Sequence, residues 1–182
     1  MTKQTKKDTQ PKVEKKTKTI TKVKAEKKTY SDTLDLKLEH RRIMEANGCD
    51  IDKYIVIRKD FHKHAEIAFK EFRTQQKIIE ILKTFGIEEE NIVKCAGTGR
   101  VVDIKGTSAE DKTPGCRIVA LRTDIDALPM PEHNQGLEYK TITEFAHMCG
   151  HDGHMAMMLA GAQVIAANRN KIPSNKTVRL LF

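Results

Sequence analysis

The segment Phe145-Ala-His-Met-Cys-Gly-His-Asp-Gly-His154 places three His, one Cys and one Asp within eight residues. Thiolate and imidazole are the side chains most used to hold zinc and related divalent ions. Gly150 and Gly153 would let the backbone turn tightly enough for neighbouring side chains to face one centre. Cys149 and His151 are two residues apart, so they cannot share a helix face. They could converge from an irregular turn held by a helix starting near His154. A lone buried His or Cys is usually a core residue, but a cluster this dense is harder to read that way. A structural zinc site would need four closed ligands, often as two separated pairs, and Cys95 and Cys116 stand alone. The pattern favours metal binding and leaves a non-metal role open.

A second segment, Ala120-Leu-Arg-Thr-Asp-Ile-Asp-Ala-Leu-Pro-Met-Pro-Glu132, reads as a buried strand running out into Asp124 and Asp126. Acidic groups at the carboxyl end of such a strand stand where open α/β sheets place their sites. Taken alone, the two Asp could simply cap a turn. With a Cys/His cluster 25 residues further on, a carboxylate that orients a metal ligand becomes a reasonable role.

The elements around these segments follow from periodicity and caps. Leu34 to Ala46 fits a short helix with Leu34, Leu38 and Ile43 on one side, ended by Asn47-Gly48. Asp50 is placed to cap a second helix from Ile51 to about His62. A third runs from about Phe72 to Phe85, with Ile78, Ile79, Leu82 and Phe85 as its apolar face and Gly86 just beyond. Short strands come next. Gly97-Thr-Gly99 is a turn, Arg100–Ile104 a strand, 107–115 a polar loop and Arg117–Leu121 a strand, and the two strands are expected to pair across the loop. Met155 to Asn168 is apolar nearly all round and predicts a helix buried against a sheet. Lys176 to Phe182 predicts one more strand. The order is that of an α/β fold, with helices packed on a mixed sheet.

The net charge of +8 across 182 residues suggests a polyanion partner until it is located. Residues 1–30 hold 11 Lys, no Arg and 3 acids, whereas the remaining residues carry 22 basic and 22 acidic side chains. The basic character therefore belongs to a Lys/Thr-rich stretch, residues 1–32, which has too little apolar surface to offset its ordering entropy and predicts disorder. Residues 33–182 form the expected folded unit, and their charge balance gives no reason to expect a specific nucleic-acid partner. Four Cys without a pairing pattern and no secretory leader predict reduced thiols and a cytoplasmic location. No apolar run approaches the ~20 residues of a membrane span.

Four stretches resemble one family. Arg58-Lys-Asp-Phe-His-Lys-His-Ala-Glu66 is similar to its helix-and-turn opening, with Ala65 where Pro is usual. Gly97–Gly106 is similar to its first strand. Val119-Ala-Leu-Arg-Thr-Asp-Ile-Asp-Ala-Leu-Pro129 and His147-Met-Cys-Gly-His-Asp-Gly-His154 are similar to its two site motifs. The family is that of the metal-dependent amidohydrolases, which includes hippurate hydrolases, aminoacylases and auxin-conjugate hydrolases within a wider group of two-metal exopeptidases. The resemblance runs from about residue 50 to 182. It implies the N-terminal part of a zinc-exopeptidase-like catalytic domain. Two divalent ions, Mn or Zn, would be bound, with Cys149 and His151 as ligands. Asp124 would orient a ligand or the metal bridge, and Arg122, Asp126 and His154 would line or brace the pocket. The implied substrate is a small N-acyl amino acid or similar conjugate, whose amide is hydrolysed.

In that family the last strand leads into Gln-Pro-Ala-Glu-Glu, whose first Glu is the general base and second a metal ligand. Further His ligands and an inserted lid domain, which often forms a homodimer, follow. These lie past Phe182, so a longer form is expected to be the active one and the 182-residue chain to be inactive alone. Glu66, Glu71 and Glu132 are set aside as substitutes for the base on their positions in the sequence. The break falls where Gln is expected, so a stop codon read as Gln would account for it. Sequencing the transcript past Phe182 tests that: an untranslatable or unrelated continuation would leave a remnant as the better account. Two alternatives remain, a non-catalytic remnant and a polyanion-binding protein that works through its Lys-rich tail.

Overall fold

The computed structural model describes residues 30–182, so the expected tail lies almost wholly outside it. Three helices come first: α1 (Tyr30–Ala46), α2 (Ile51–Lys63) and α3 (Phe72–Lys83). Then follow β1 (Ile92–Cys95), β2 (Gly99–Lys105), β3 (Ile118–Arg122), α4 (His151–Ala167) and β4 (Thr177–Leu181). The helices start and stop close to where the caps place them. The Asp50 carboxylate accepts from the Asp52 and Lys53 amides at 3.0 and 3.4 Å, satisfying donors that the first turn of α2 leaves free. The expected face of α1 packs little: Leu38 and Ile43 are exposed, and Met44 is what reaches the core.

The four strands form one sheet in the order β1-β2-β4-β3. β1 and β4 both run antiparallel to β2, and β3 runs parallel to β4. This corrects the expected pairing of β2 with β3, because β4 lies between them. A tight hairpin needs only a few residues in its loop, and the long connection from Gly106 to Arg117 leaves room for another strand. That connection is tied instead to the segment entering β4. Thr107 N donates to Arg169 O at 2.9 Å and Ser108 N to Ile172 O at 2.9 Å. Gly106 is needed at this crossing, since a Cβ there would stand 2.2 Å from Pro173 O and 2.3 Å from Ile172 O. β1, which the sequence reading passed over, forms a hairpin with β2 through Ala96-Gly97-Thr98.

The core lies between the sheet and the helices, and comprises Phe61, Ile78, Leu82, Val102, Met155, Leu159 and Leu180, each essentially inaccessible to solvent. α4 packs on α2 and α3 and reaches β4, so the helix that precedes β4 also closes the core. Two burial expectations are corrected. All five residues of β3 are exposed, because it is an edge strand with one neighbour and no described helix covers it. α4 is also not buried all round, as Met157 faces out at 65% exposure.

Candidate functional site

β3 ends at Arg122, and the chain then passes through Thr123, Asp124, Ile125 and Asp126 with Thr123, Ile125 and Ala127 turned inward. This alternation leaves Arg122, Asp124 and Asp126 toward the cleft. Two backbone pairings fix the segment beyond. Ala127 N donates to Glu66 O at 2.7 Å, and Leu128 and Ala146 exchange amide hydrogen bonds of 3.0 and 3.1 Å. The second pairing sets the Asp segment beside the His147–His154 segment, although 18 residues of chain separate Leu128 from Ala146.

Past that bridge, Gly150 adopts φ 89°, a left-handed conformation that an L side chain would strain, and α4 begins at the next residue. The helix therefore starts three residues before the expected His154 and takes in His151 and Asp152. Gly153 is not a turn residue: it lies inside α4, where a Cβ would meet only the Arg58 guanidinium, at 4.0 Å. His151 is largely enclosed. Its Nδ1 lies 2.9 Å from the Asp126 carbonyl and 3.1 Å from Asp126 Oδ1. Two acceptors on Nδ1 require that nitrogen to carry a proton, and in the neutral imidazole this leaves the lone pair on Nε2. The Asp124 carboxylate stands 3.9 Å from Nε2.

The Cys149 thiol is free and exposed on the turn before Gly150. His154 is also exposed, with its ring centroid 5.9 Å from that of His151. Arg122 pairs with Asp124. The structure thus gathers Asp124, Asp126 and His151, puts Arg122 against Asp124 and leaves Cys149 and His154 exposed outside that group. These donors are of the kinds that hold divalent ions, but among the described residues no three His, Cys, Asp or Glu side chains converge as a metal site. The donor set fits part of a metal centre and does not close one.

A cleft of about 390 Å³ opens at this end of the sheet, lined among others by Arg122, Asp124, Asp126, Phe69, Glu71 and Thr98. Glu71, set aside on sequence position, is buried here and accepts from the Thr98 hydroxyl at 2.5 Å. Glu66 points elsewhere and accepts from the Arg73 and Thr74 amides at the start of α3, at 3.1 and 2.8 Å.

Behind the cleft is a buried polar network that the sequence reading did not find. His62 of α2 contacts Asp152 Oδ2 through Nδ1 at 3.0 Å and Glu132 through Nε2 at 3.3 Å. Arg58 Nε donates to the same Asp152 oxygen at 3.1 Å. Glu132 is buried. Its burial would raise its carboxyl pKa, but hydrogen bonds from Asn134, the Thr141 amide and His62 outweigh that and hold it below the usual range. His147 is 4% exposed with neither ring nitrogen hydrogen-bonded, and burial, opposed by Asp152, pushes its pKa down to about 4. A pairing of residues 62 and 152 leaves no trace in local spacing. The only signal in the sequence is spacing: Arg58 and His62 are four residues apart, which puts them on one face of α2.

Carboxylates just past the carboxyl end of β3, with an imidazole at the start of α4, stand where open α/β sheets place their sites. Residues 120–182 match the model of peptidase family M20/M25/M40. It is 37% identical over 135 residues to thermostable carboxypeptidase 1 of Saccharolobus solfataricus, covering 73% of this chain and 32% of that one. It is 33% identical over 147 residues to an N-acyl-L-amino acid amidohydrolase of Geobacillus stearothermophilus, covering 80% of this chain and 36% of that one. Among solved structures it resembles the YXEP protein of Bacillus subtilis, described as a dinuclear metal binding peptidase from the M20 family. The TM-score is 0.61 and the identity 32%, over 72% of this chain and 34% of that one. The chain thus spans about a third of the length of the relatives it matches. Among the described residues no helix is long and apolar enough to cross a membrane.

Proposed function

We propose that a polypeptide carrying these residues hydrolyses the amide bond of N-acyl amino acids or similar conjugates, using two divalent ions, Mn or Zn, in the cytoplasm. Cys149 and His151 would be ligands. Asp126 would orient His151, Asp124 would hold the space between the imidazole and the cleft, and Arg122 and His154 would bound the substrate. When bound, the ions would polarise the amide carbonyl and lower the pKa of water. The observation that carries the reading is the placement of His151. With Nδ1 fixed on Asp126, its Nε2 lone pair faces Asp124 at the end of β3. A carboxylate or carbonyl on the far nitrogen is the usual way a protein fixes a metal-binding imidazole. The names of the relatives, carboxypeptidase and N-acyl-L-amino acid amidohydrolase, support the amide as substrate.

On this reading the 182-residue chain alone does not turn over, because it gathers too few donors. The test is release of free amino acid from N-acetyl and N-benzoyl amino acids by the longest product of the gene, with and without Mn²⁺ or Zn²⁺. Elemental analysis of wild type and Cys149→Ala accompanies it. Metal-dependent release with about two ions per chain, and loss of metal in the variant, is expected. No release by the longer form, or unchanged metal in Cys149→Ala, would remove the proposal.

A further inference from the structure

The turn between α2 and α3 contains a residue that neither local conformation nor burial explains. Lys70 N donates to Ile67 O at 3.0 Å, which closes a four-residue turn over Ile67–Lys70. Phe69 is its third residue and has φ 64°. A positive φ at that position belongs to Gly or Asn, and a bulky aromatic there is an outlier. Such strain is usually offset by packing, yet the Phe69 side chain is 75% exposed. The chain thus holds a large apolar ring in a strained conformation and in water. Both costs fall on a residue that lines the cleft together with Arg122, Asp124 and Asp126. Ala68, Ala96, Ile125 and Phe182 also line the cleft, so an apolar ligand meets apolar surface there beside the polar Glu71 and Thr98. Backbone strain of this kind concentrates at ligand-contacting positions, and binding clefts combine apolar walls with a few placed polar groups.

We propose that Phe69 determines acyl-group specificity, its ring receiving an aryl group on the acyl side of the substrate. The inference rests on the amidohydrolase reading for the identity of the ligand. An aryl acyl group gains ring-on-ring contact and covers a surface otherwise left in water, whereas an acetyl group is too small to do so. The hydrogen-bonded turn fixes the backbone that carries the ring at the cleft, so the segment itself need not be ordered when a ligand arrives.

The probes are phenylacetate and acetate, which stand for the two kinds of acyl group and cannot themselves be cleaved. Each is titrated by ligand-observed NMR into the Zn²⁺-loaded longer form of the protein as wild type, Phe69→Gly, Phe69→Asn and Phe69→Tyr. The Gly and Asn variants accept the turn conformation without the ring, and Tyr keeps the ring. Phenylacetate affinity should fall about tenfold in Gly and Asn and be retained in Tyr, with acetate changing less than about twofold. The melting temperature should be unchanged or raised in Gly and Asn, as strain is released. Equal phenylacetate binding by wild type and the Gly variant, or no phenylacetate binding by wild type, would overturn the proposal. A fall of several degrees in both strain-relieving variants would show the ring to be packed by protein instead, which also overturns it. Failure of the amidohydrolase reading shows differently, as phenylacetate binding through Phe69 with no metal-dependent amide cleavage.

Discussion

His62 Nδ1 and Asp152 Oδ2 lie 3.0 Å apart, joining α2 to the first turn of α4 across 90 residues of sequence. Asp152 is fully buried, and its other close partner is Arg58. A buried carboxylate is tolerable only while such partners remain, and removing it leaves their charge or polarity uncompensated. Asp152→Ala should therefore destabilise the fold by about 3 kcal/mol, with Asp152→Asn intermediate. Urea denaturation measures this. A loss within the ordinary ±0.5 kcal/mol range of a surface substitution would show that the network carries no stability.

Asp103 and Arg179 face each other across β2 and β4, with two hydrogen bonds of 2.7 Å. The Arg179 guanidinium holds the Asp103 carboxyl below the usual carboxylate range, against a weaker opposing effect of burial. A depressed carboxylate contributes stability that is fully present above its unfolded value, about 3.9, and is lost as pH falls through its lower folded value. Asp103→Asn should melt a few degrees below wild type at pH 7, and the gap should close on acidification below about pH 4. A gap that stays constant down to pH 2 would exclude this origin.

Much of the helical layer was legible in the sequence because its signals are local. Asp50 caps α2 two and three residues from the amides it satisfies, and Ile78 and Leu82 mark the buried face of α3 one turn apart. The sheet order was not legible. Val-rich β2 and β3 look like natural neighbours, and only the hydrogen bonds of Thr107 and Ser108 to the segment before β4 show why β4 lies between them. The start of α4 was missed for a related reason. Gly150-His151-Asp152-Gly153 has two glycines and reads as a turn, but the left-handed conformation at Gly150 and the burial of Asp152 extend the helix to His151. At the site, the proximity of Asp126 to His151 could be guessed from two polar clusters. The roles of His62 and Glu132 could not, since they depend on how α2 packs against α4.

Gly106 tests the crossing that separates β2 from β3. A Cβ at this position would overlap two backbone carbonyl oxygens, which cannot swing aside as a flexible side chain would. Gly106→Ala should cost about 2 kcal/mol or more, the range of core overpacking. Gly97→Ala is the contrasting variant: nothing lies within 4 Å of its added Cβ, but its φ of 84° strains any L side chain. The two are separated by hydrogen exchange of the Thr107 and Ser108 amides. Gly106→Ala should expose them and Gly97→Ala should not. Unaltered protection in Gly106→Ala would mean that the carbonyls can move and that this crossing does not fix the sheet order.

The contact between His151 and Asp126 makes the metal proposal quantitative. His151 Nδ1 has two acceptors on Asp126, the backbone carbonyl at 2.9 Å and the carboxylate at 3.1 Å. Asp126→Ala removes one and leaves the other, so the imidazole should keep its tautomer but lose part of its orientation. Groups that orient metal-binding imidazoles typically contribute 10–100-fold to affinity, so this variant should fall toward the lower end, about tenfold in Zn²⁺ affinity. Asp126→Asn should lose less if its amide oxygen takes the place of Oδ1. His151→Ala removes the lone pair itself and should abolish binding at that ion's position. Competition of the longer form with a chromophoric chelator reads all three. The expected order of affinity is wild type, Asp126→Asn, Asp126→Ala, then His151→Ala. Zn²⁺ affinity in His151→Ala equal to wild type would remove His151 from the ligand set, whatever the behaviour of the Asp126 variants.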